Sequence, residues 1–206
     1  MDRAFEAPEI SGDDAPSTAP DEDILCMLRV KEGDEVAFEE LVRRHQGSVV
    51  ATAYQMLGDL DEAHDIAQQV FIRIWKSASR WEPQARFTTW MFTIARNLVF
   101  NESRRRQRKP SQSIETQPED QKQRLSNSGE AGPDELLLQR EMQEAIDRAI
   151  EALPEQQRLA MVLRRFEMLP YEEIASVMST SVPAVKSLLF RARTQLRRDL
   201  GGYLDG

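Results

Sequence analysis

The chain reads as an all-α protein: two small helical domains joined by a flexible linker. Three observations predict this. Apolar residues recur at i, i+3, i+4 and i+7 along most of the 206 residues, with almost no alternating β pattern. Only 9 glycines accompany a composition rich in Leu, Ala, Glu and Arg. A stretch rich in Ser, Gln, Glu, Asn and Pro over 110–133, with isolated Ile114 and Leu125, separates two periodic halves. A hydrophobic content of 40% supplies modest cores rather than one large one.

Taken in order, residues 1–22 are acidic and rich in Pro, Ala and Ser, with too little apolar surface to offset the entropy of ordering, and are expected to be a disordered tail. Helical periodicity starts at Asp23 and breaks at Gly33-Asp34, where Asp34 can cap a new helix carrying Phe38, Leu41 and Val42 on one face. Gly58-Asp59 marks the next break. From Leu60 to Ser77, Ile66, Ala67, Val70, Phe71, Ile74 and Trp75 form an apolar stripe with Asp61, Asp65, Gln68, Gln69 and Arg73 off it. A further helix begins near Phe87 or Thr88, its inner face made by Met91, Ile94, Ala95 and Leu98. The first domain is therefore expected over 23–109 and the second over 134–206. The second opens with a helix from Leu136 to Leu153; Pro154 stops it and suits the first turn of a helix through Leu159, Val162, Leu163 and Phe166.

Charge is distributed unevenly. The chain carries a net −8, yet Met1 to Glu40 holds 13 acids against Arg3, Arg29 and Lys31, so the rest is slightly basic. Arg80 to Lys109 holds eight Lys/Arg against Glu82 and Glu102, with Trp81, Phe87, Trp90, Phe92 and Phe100 running into Arg104, Arg105, Arg106, Arg108 and Lys109. Aromatic rings beside a basic tail suit unpaired bases stacked along a phosphate backbone. The acidic start and the lack of an 18-residue apolar run predict a soluble, cytoplasmic protein with no membrane insertion. A single cysteine, Cys26, rules out an intramolecular disulfide; with His45 and His64 it makes no metal-ligand spacing, so packing is its expected role and no metal or cofactor is expected. There is no nucleophile with a paired base and no glycine-rich phosphate loop, so an enzyme is not expected.

Tyr171, Ile174, Ala175 and Met178 define a short helix, followed by the polar turn Ser179-Thr180-Ser181 and a second helix that Ser181 can cap with Pro183 in its first turn. In that second helix Val182, Val185, Leu189, Ala192 and Leu196 share an arc of about 80° at 100° per residue. Ser187, Arg191, Thr194 and Arg198 lie opposite, flanked by Lys186 and Phe190. One side packs while the other offers donors to a major groove, the layout of a recognition helix.

Tyr171-Glu-Glu-Ile-Ala-Ser-Val-Met178, Ser181-Val-Pro-Ala-Val-Lys-Ser187 and Arg191-Ala-Arg193 together resemble region four of bacterial sigma factors of the extracytoplasmic-function group. Phe38-Glu-Glu-Leu-Val42, Asp65-Ile-Ala-Gln-Gln-Val-Phe71, Thr89-Trp-Met-Phe-Thr-Ile-Ala-Arg-Asn97 and Arg104-Arg-Arg106 resemble region two, in the family's order. The resemblance implies a dissociable subunit that binds the clamp coiled coil and flap of core RNA polymerase and directs initiation at chosen promoters. Asp61, Asp65, Gln68, Gln69 and Ile72 would contact the polymerase. Trp81, Arg86, Thr89, Trp90, Arg96 and Asn97 would melt and capture the minus-ten element, with Arg104, Arg105 and Arg106 on backbone phosphates. An extruded base needs a stacking surface and an amide to read its edge, which Asn97 supplies; Trp90 stands at the core edge and reads as packing or as stacking. Arg164, Arg165, Ser181, Lys186, Ser187, Phe190 and Arg191 would engage the minus-thirty-five duplex. Leu188, Ala184, Ser179-Thr180 and Pro170 depart from the family's usual residues, so the promoter sequence does not follow from this helix. The resemblance also implies an anti-sigma factor as partner, and leaves the linker as a nucleic-acid mimic or a passive tether. A stand-alone helix-turn-helix regulator, dimeric through the Leu136–Leu153 helix, and a masked adaptor that never touches promoters are the competing readings.

Overall fold

Two aspartates frame the first half. The Asp34 carboxylate accepts the Ala37 N–H and the Asp59 carboxylate accepts the Glu62 N–H, each at 3.0 Å, so the first orphan donors of two helices are met where the chain has turned. These caps belong to a computed structural model that describes residues 22–108 and 133–201, with the side chains of 133–140 left aside. The expected tail and linker lie outside the described residues, apart from the helix starts at Glu22 and Pro133. The elements are α1 (Glu22–Lys31), α2 (Glu35–Leu57), α3 (Leu60–Ser77), a 3-10 turn (Ala78–Arg80), α4 (Phe87–Arg108), α5 (Pro133–Glu151), α6 (Glu155–Arg165), α7 (Tyr171–Met178) and α8 (Val182–Asp199). All are helical, as the periodicity predicts.

In the first half α2 and α3 form a hairpin around Gly58, whose φ of +71° places it in the left-handed region where its N–H reaches the Tyr54 carbonyl. Met27, Leu41, Val49, Val70, Ile74, Phe87 and Met91 fill the space between α1, α2, α3 and α4. In the second half Pro154 stands just before α6 rather than inside its first turn, and Ser181 caps α8 by accepting the Ala184 N–H. Val185, Leu189 and Ala192 of α8 pack with Leu159 and Leu163 of α6 and Ile174 of α7, while Val182 and Leu196 lie at the rim.

The two halves are packed together. Their buried residues form one connected cluster, with α4 against α7 and α2 against α6 and α5. Arg158 ties the seam: it donates to the Met56 carbonyl of α2 at 2.9 Å and to the Glu151 and Leu153 carbonyls at the end of α5. Burial lowers the pKa of this guanidinium, so its cost is offset only by those carbonyls and by the nearby Glu151 and Glu155 charges. The sequence is silent on this arrangement, since it arises from residues some 100 positions apart.

Candidate nucleic-acid interface

Helix α4 carries most of the expected minus-ten residues, and its two ends behave differently. Ahead of its start, just after the 3-10 turn, Trp81 is 6% exposed, its ring 6.0 Å from that of Trp90, and its carbonyl accepts Lys31 Nζ at 3.0 Å. Trp90 also packs edge-on to Phe87, so of its two readings the packing one is what the fold displays. Thr89 is 4% exposed. Its hydroxyl donates to Glu173 Oε2 at 2.8 Å, and Arg86 Nη1 lies 3.3 Å from Glu173 Oε1. Trp81 and Thr89 are thus covered in this arrangement rather than open to DNA, because their neighbours Trp90 and Glu173 close over them.

Further along α4, Arg96 donates through Nη1 to the Val177 carbonyl at 2.8 Å and to Ser179 Oγ at 3.1 Å, and through Nη2 to Asn97 Oδ1 at 2.7 Å. Asn97 itself is exposed, and Arg96 presents its amide. At the C-terminal end Arg104 and Arg105 are exposed, with Arg105 held by Glu102 at 2.8 Å. Arg106 differs: Nε donates to Glu62 at 2.9 Å and Nη1 to the Leu57 carbonyl at 2.7 Å, pinning α4 to the α2–α3 corner. The arginine triplet therefore divides into two surface cations and one that anchors the helix.

On α3, Asp61, Asp65, Gln68, Gln69 and Ile72 are all exposed, as a polymerase contact requires. Beside them an open apolar groove of about 730 Å³ runs between α2 and α3, lined by Phe38, Val42, Phe71, Ile72 and Trp75. Phe38 packs against Trp75 with centroids 4.9 Å apart and the rings tilted at 54°, so the groove is aromatic in part.

The outer face of α8 is open. Phe190 is 72% exposed, and Lys186 and Arg191 stand beside it with Ser187 half-buried. Arg164 donates to the Leu169 carbonyl at 3.0 Å and lies over the Tyr171 ring; Lys186 approaches the same ring, which holds both cations at one edge of the helix pair. Arg165 is exposed, and the Ser181 hydroxyl is used as the cap.

Sequence reasoning missed Glu167 and Glu173. The Glu167 carboxylate accepts Ser48 Oγ at 2.8 Å and Thr52 Oγ1 at 3.0 Å across the seam, and burial raises its pKa against those hydrogen bonds and the His45 charge. Both acids look like ordinary offsets to nearby arginines in the sequence. Only the Tyr171-Glu-Glu pattern marks Glu173, and it gives no role.

Both halves of the chain match known proteins. The description "Sigma-70 region 2" matches residues 41–109 and "Sigma-70, region 4" matches residues 143–196. The chain is 32% identical over 182 residues to the RNA polymerase sigma-H factor of Pseudomonas aeruginosa, covering 87% of this chain and 94% of that protein. It is 34% identical over 177 residues to the ECF RNA polymerase sigma-E factor of Escherichia coli, covering 83% of this chain and 90% of that one. Two solved structures share the fold. One is CnrH in complex with the cytosolic domain of CnrY, with a TM-score of 0.64 at 23% identity over 88% of this chain and 99% of that chain. The other is the sigma factor RpoE with the anti-sigma factor NepR from Bartonella quintana, with a TM-score of 0.60 at 22% identity over 80% and 96%.

Proposed function

Since the chain belongs to the sigma-70 family as an extracytoplasmic-function sigma factor, a specificity subunit for transcription initiation and not an enzyme, we propose the following division of labour among its residues. Helix α3 docks on the clamp coiled coil of core RNA polymerase through Asp61, Asp65, Gln68, Gln69 and Ile72, and the second half meets the flap. The α4 face captures the melted minus-ten strand: Asn97 reads a base edge, Arg86, Thr89 and Arg96 hold its backbone, and Arg104 and Arg105 extend the phosphate track. Trp90, backed by Trp81, borders the base, and Arg86, Thr89 and Arg96 become free to bind the strand when α7 leaves α4. Helix α8 reads the minus-thirty-five duplex with Lys186, Ser187, Phe190 and Arg191, while Arg164 and Arg165 lie toward phosphates. Ser181 starts the helix at the right phase.

The observation that carries this reading is the pairing of an exposed amide, Asn97, with exposed cations along one helix and an exposed basic-aromatic face on another. An anti-sigma factor is the expected cytoplasmic partner. The apolar α2–α3 groove beside the polymerase face gives it a seat that would exclude polymerase. Run-off transcription with purified core polymerase on a pool of promoter fragments tests the function. Initiation that needs both polymerase and this chain is the expected result; tight duplex binding with no polymerase requirement would favour a stand-alone regulator instead.

A further inference from the structure

Three of the residues assigned to the minus-ten strand are occupied by the protein's own second half. Glu173, its side chain 16% exposed, sets one carboxylate oxygen against the Thr89 hydroxyl and the other toward the Arg86 guanidinium. Arg96 is held by the Val177 carbonyl and Ser179 Oγ at the end of the same helix. A hydroxyl and a guanidinium converging on two anionic oxygens is the donor set that a backbone phosphate takes. The exposures are asymmetric. The α8 reading face and the α3 polymerase face stay open, whereas Thr89 is 4% exposed and Arg86, though 59% exposed, has its guanidinium turned to Glu173.

We propose that Glu173 is an internal phosphate surrogate: in the free protein it latches α7 onto the minus-ten face, so that polymerase docks on α3 first and single-stranded DNA gains access only after α7 is released. This rests on the reading of α4 as the strand-capturing helix. The latch spares duplex recognition, because nothing of the first half covers Phe190 or Arg191 among the described residues. It gives the free chain low affinity for single strands without a partner protein, and it places opening after docking.

The test compares the full-length wild type with Glu173→Ala and with Glu172→Ala, a neighbour on the same helix that is exposed and changes the charge equally. Binding of a fluorescent random-sequence single-stranded DNA is measured by anisotropy, and overall dimensions by small-angle X-ray scattering, both without polymerase. When the competent state is about a tenth populated, releasing the latch raises apparent affinity by up to about tenfold. Glu173→Ala is expected to expand and to bind the strand several-fold tighter than Glu172→Ala. Equal binding and equal dimensions in the two variants would overturn the latch. An expanded Glu173→Ala with no gain in strand binding would instead overturn the placing of the minus-ten face on α4. Should Glu173→Ala fail to fold, Glu173→Gln, which keeps the shape and drops the charge, takes its place with the same outcomes.

Discussion

Asn97 is held out to solvent by Arg96, whose guanidinium grips its Oδ1 and leaves the amide NH₂ turned outward. An amide contact to a base edge carries about 1–3 kcal/mol of discrimination, so Asn97→Ala should lower polymerase-dependent initiation roughly tenfold, read as run-off product per unit time. Met168 makes a different point at the same scale. It sits at φ +56° between α6 and α7 with its side chain 76% exposed, so it carries left-handed strain with little packing in return. Met168→Gly should stabilise the fold by about 0.5–1 kcal/mol and raise the melting temperature in a thermal scan; a lower melting temperature would contradict that account. Asp23 joins α1 to α2 through His45 Nε2 at 2.8 Å and Arg44 Nη1 at 3.2 Å, and the His45 hydrogen bond holds its carboxyl below the usual aspartate range. Because its folded pKa is depressed, its contribution is present above the ordinary value of about 4 and lost as pH falls through the folded value. Asp23→Asn should therefore destabilise near neutral pH and have little effect in strong acid, as denaturant midpoints would show.

The helices show which signals are local. Asp34, Gly58 and Ser181 act where the sequence places them, because a cap is settled by chemistry within four residues. α7 shows the limit. The i, i+3, i+4, i+7 stripe puts Met178 inward, yet Val177 is fully buried and Met178 is half-buried. The helix is covered from two sides, by α8 and by α4, so its buried arc is wider than one stripe. The sequence marks Trp81 as a candidate site residue and gives no sign that it is buried: Arg80-Trp-Glu-Pro-Gln84 carries no periodicity, and its partners Lys31 and Trp90 come from other elements. The roles of Glu173 and Arg158 were illegible for the same reason, since their contacts span 84 and 102 positions. Arg158→Leu would strip three carbonyls at the ends of α2 and α5 of their shared donor. A loss of about 2 kcal/mol in chemical denaturation is expected, with the seam between the halves loosening first in hydrogen exchange.

At the scale of the whole molecule, α4 and α7 meet at a seam between the two halves that has titratable groups inside it. Glu167 is the clearest. Burial raises its pKa, so the closed arrangement binds its proton more tightly than an open one, and closure weakens as pH rises from the ordinary carboxylate range through the raised value. The groups facing it are the Ser48 and Thr52 hydroxyls, with the His45 imidazole further off; any positive charge there acts against the shift. Scattering dimensions should shrink as pH is lowered from neutral toward the ordinary carboxylate range of about 4, and growth over that range would contradict this. The central proposal is that α4 captures the melted strand. Permanganate probing of unpaired thymines in complexes of core polymerase, promoter DNA and this chain tests that most directly. The wild type should make minus-ten thymines reactive and Asn97→Ala should leave them largely protected; equal reactivity with both proteins would contradict the assignment of strand capture to this face.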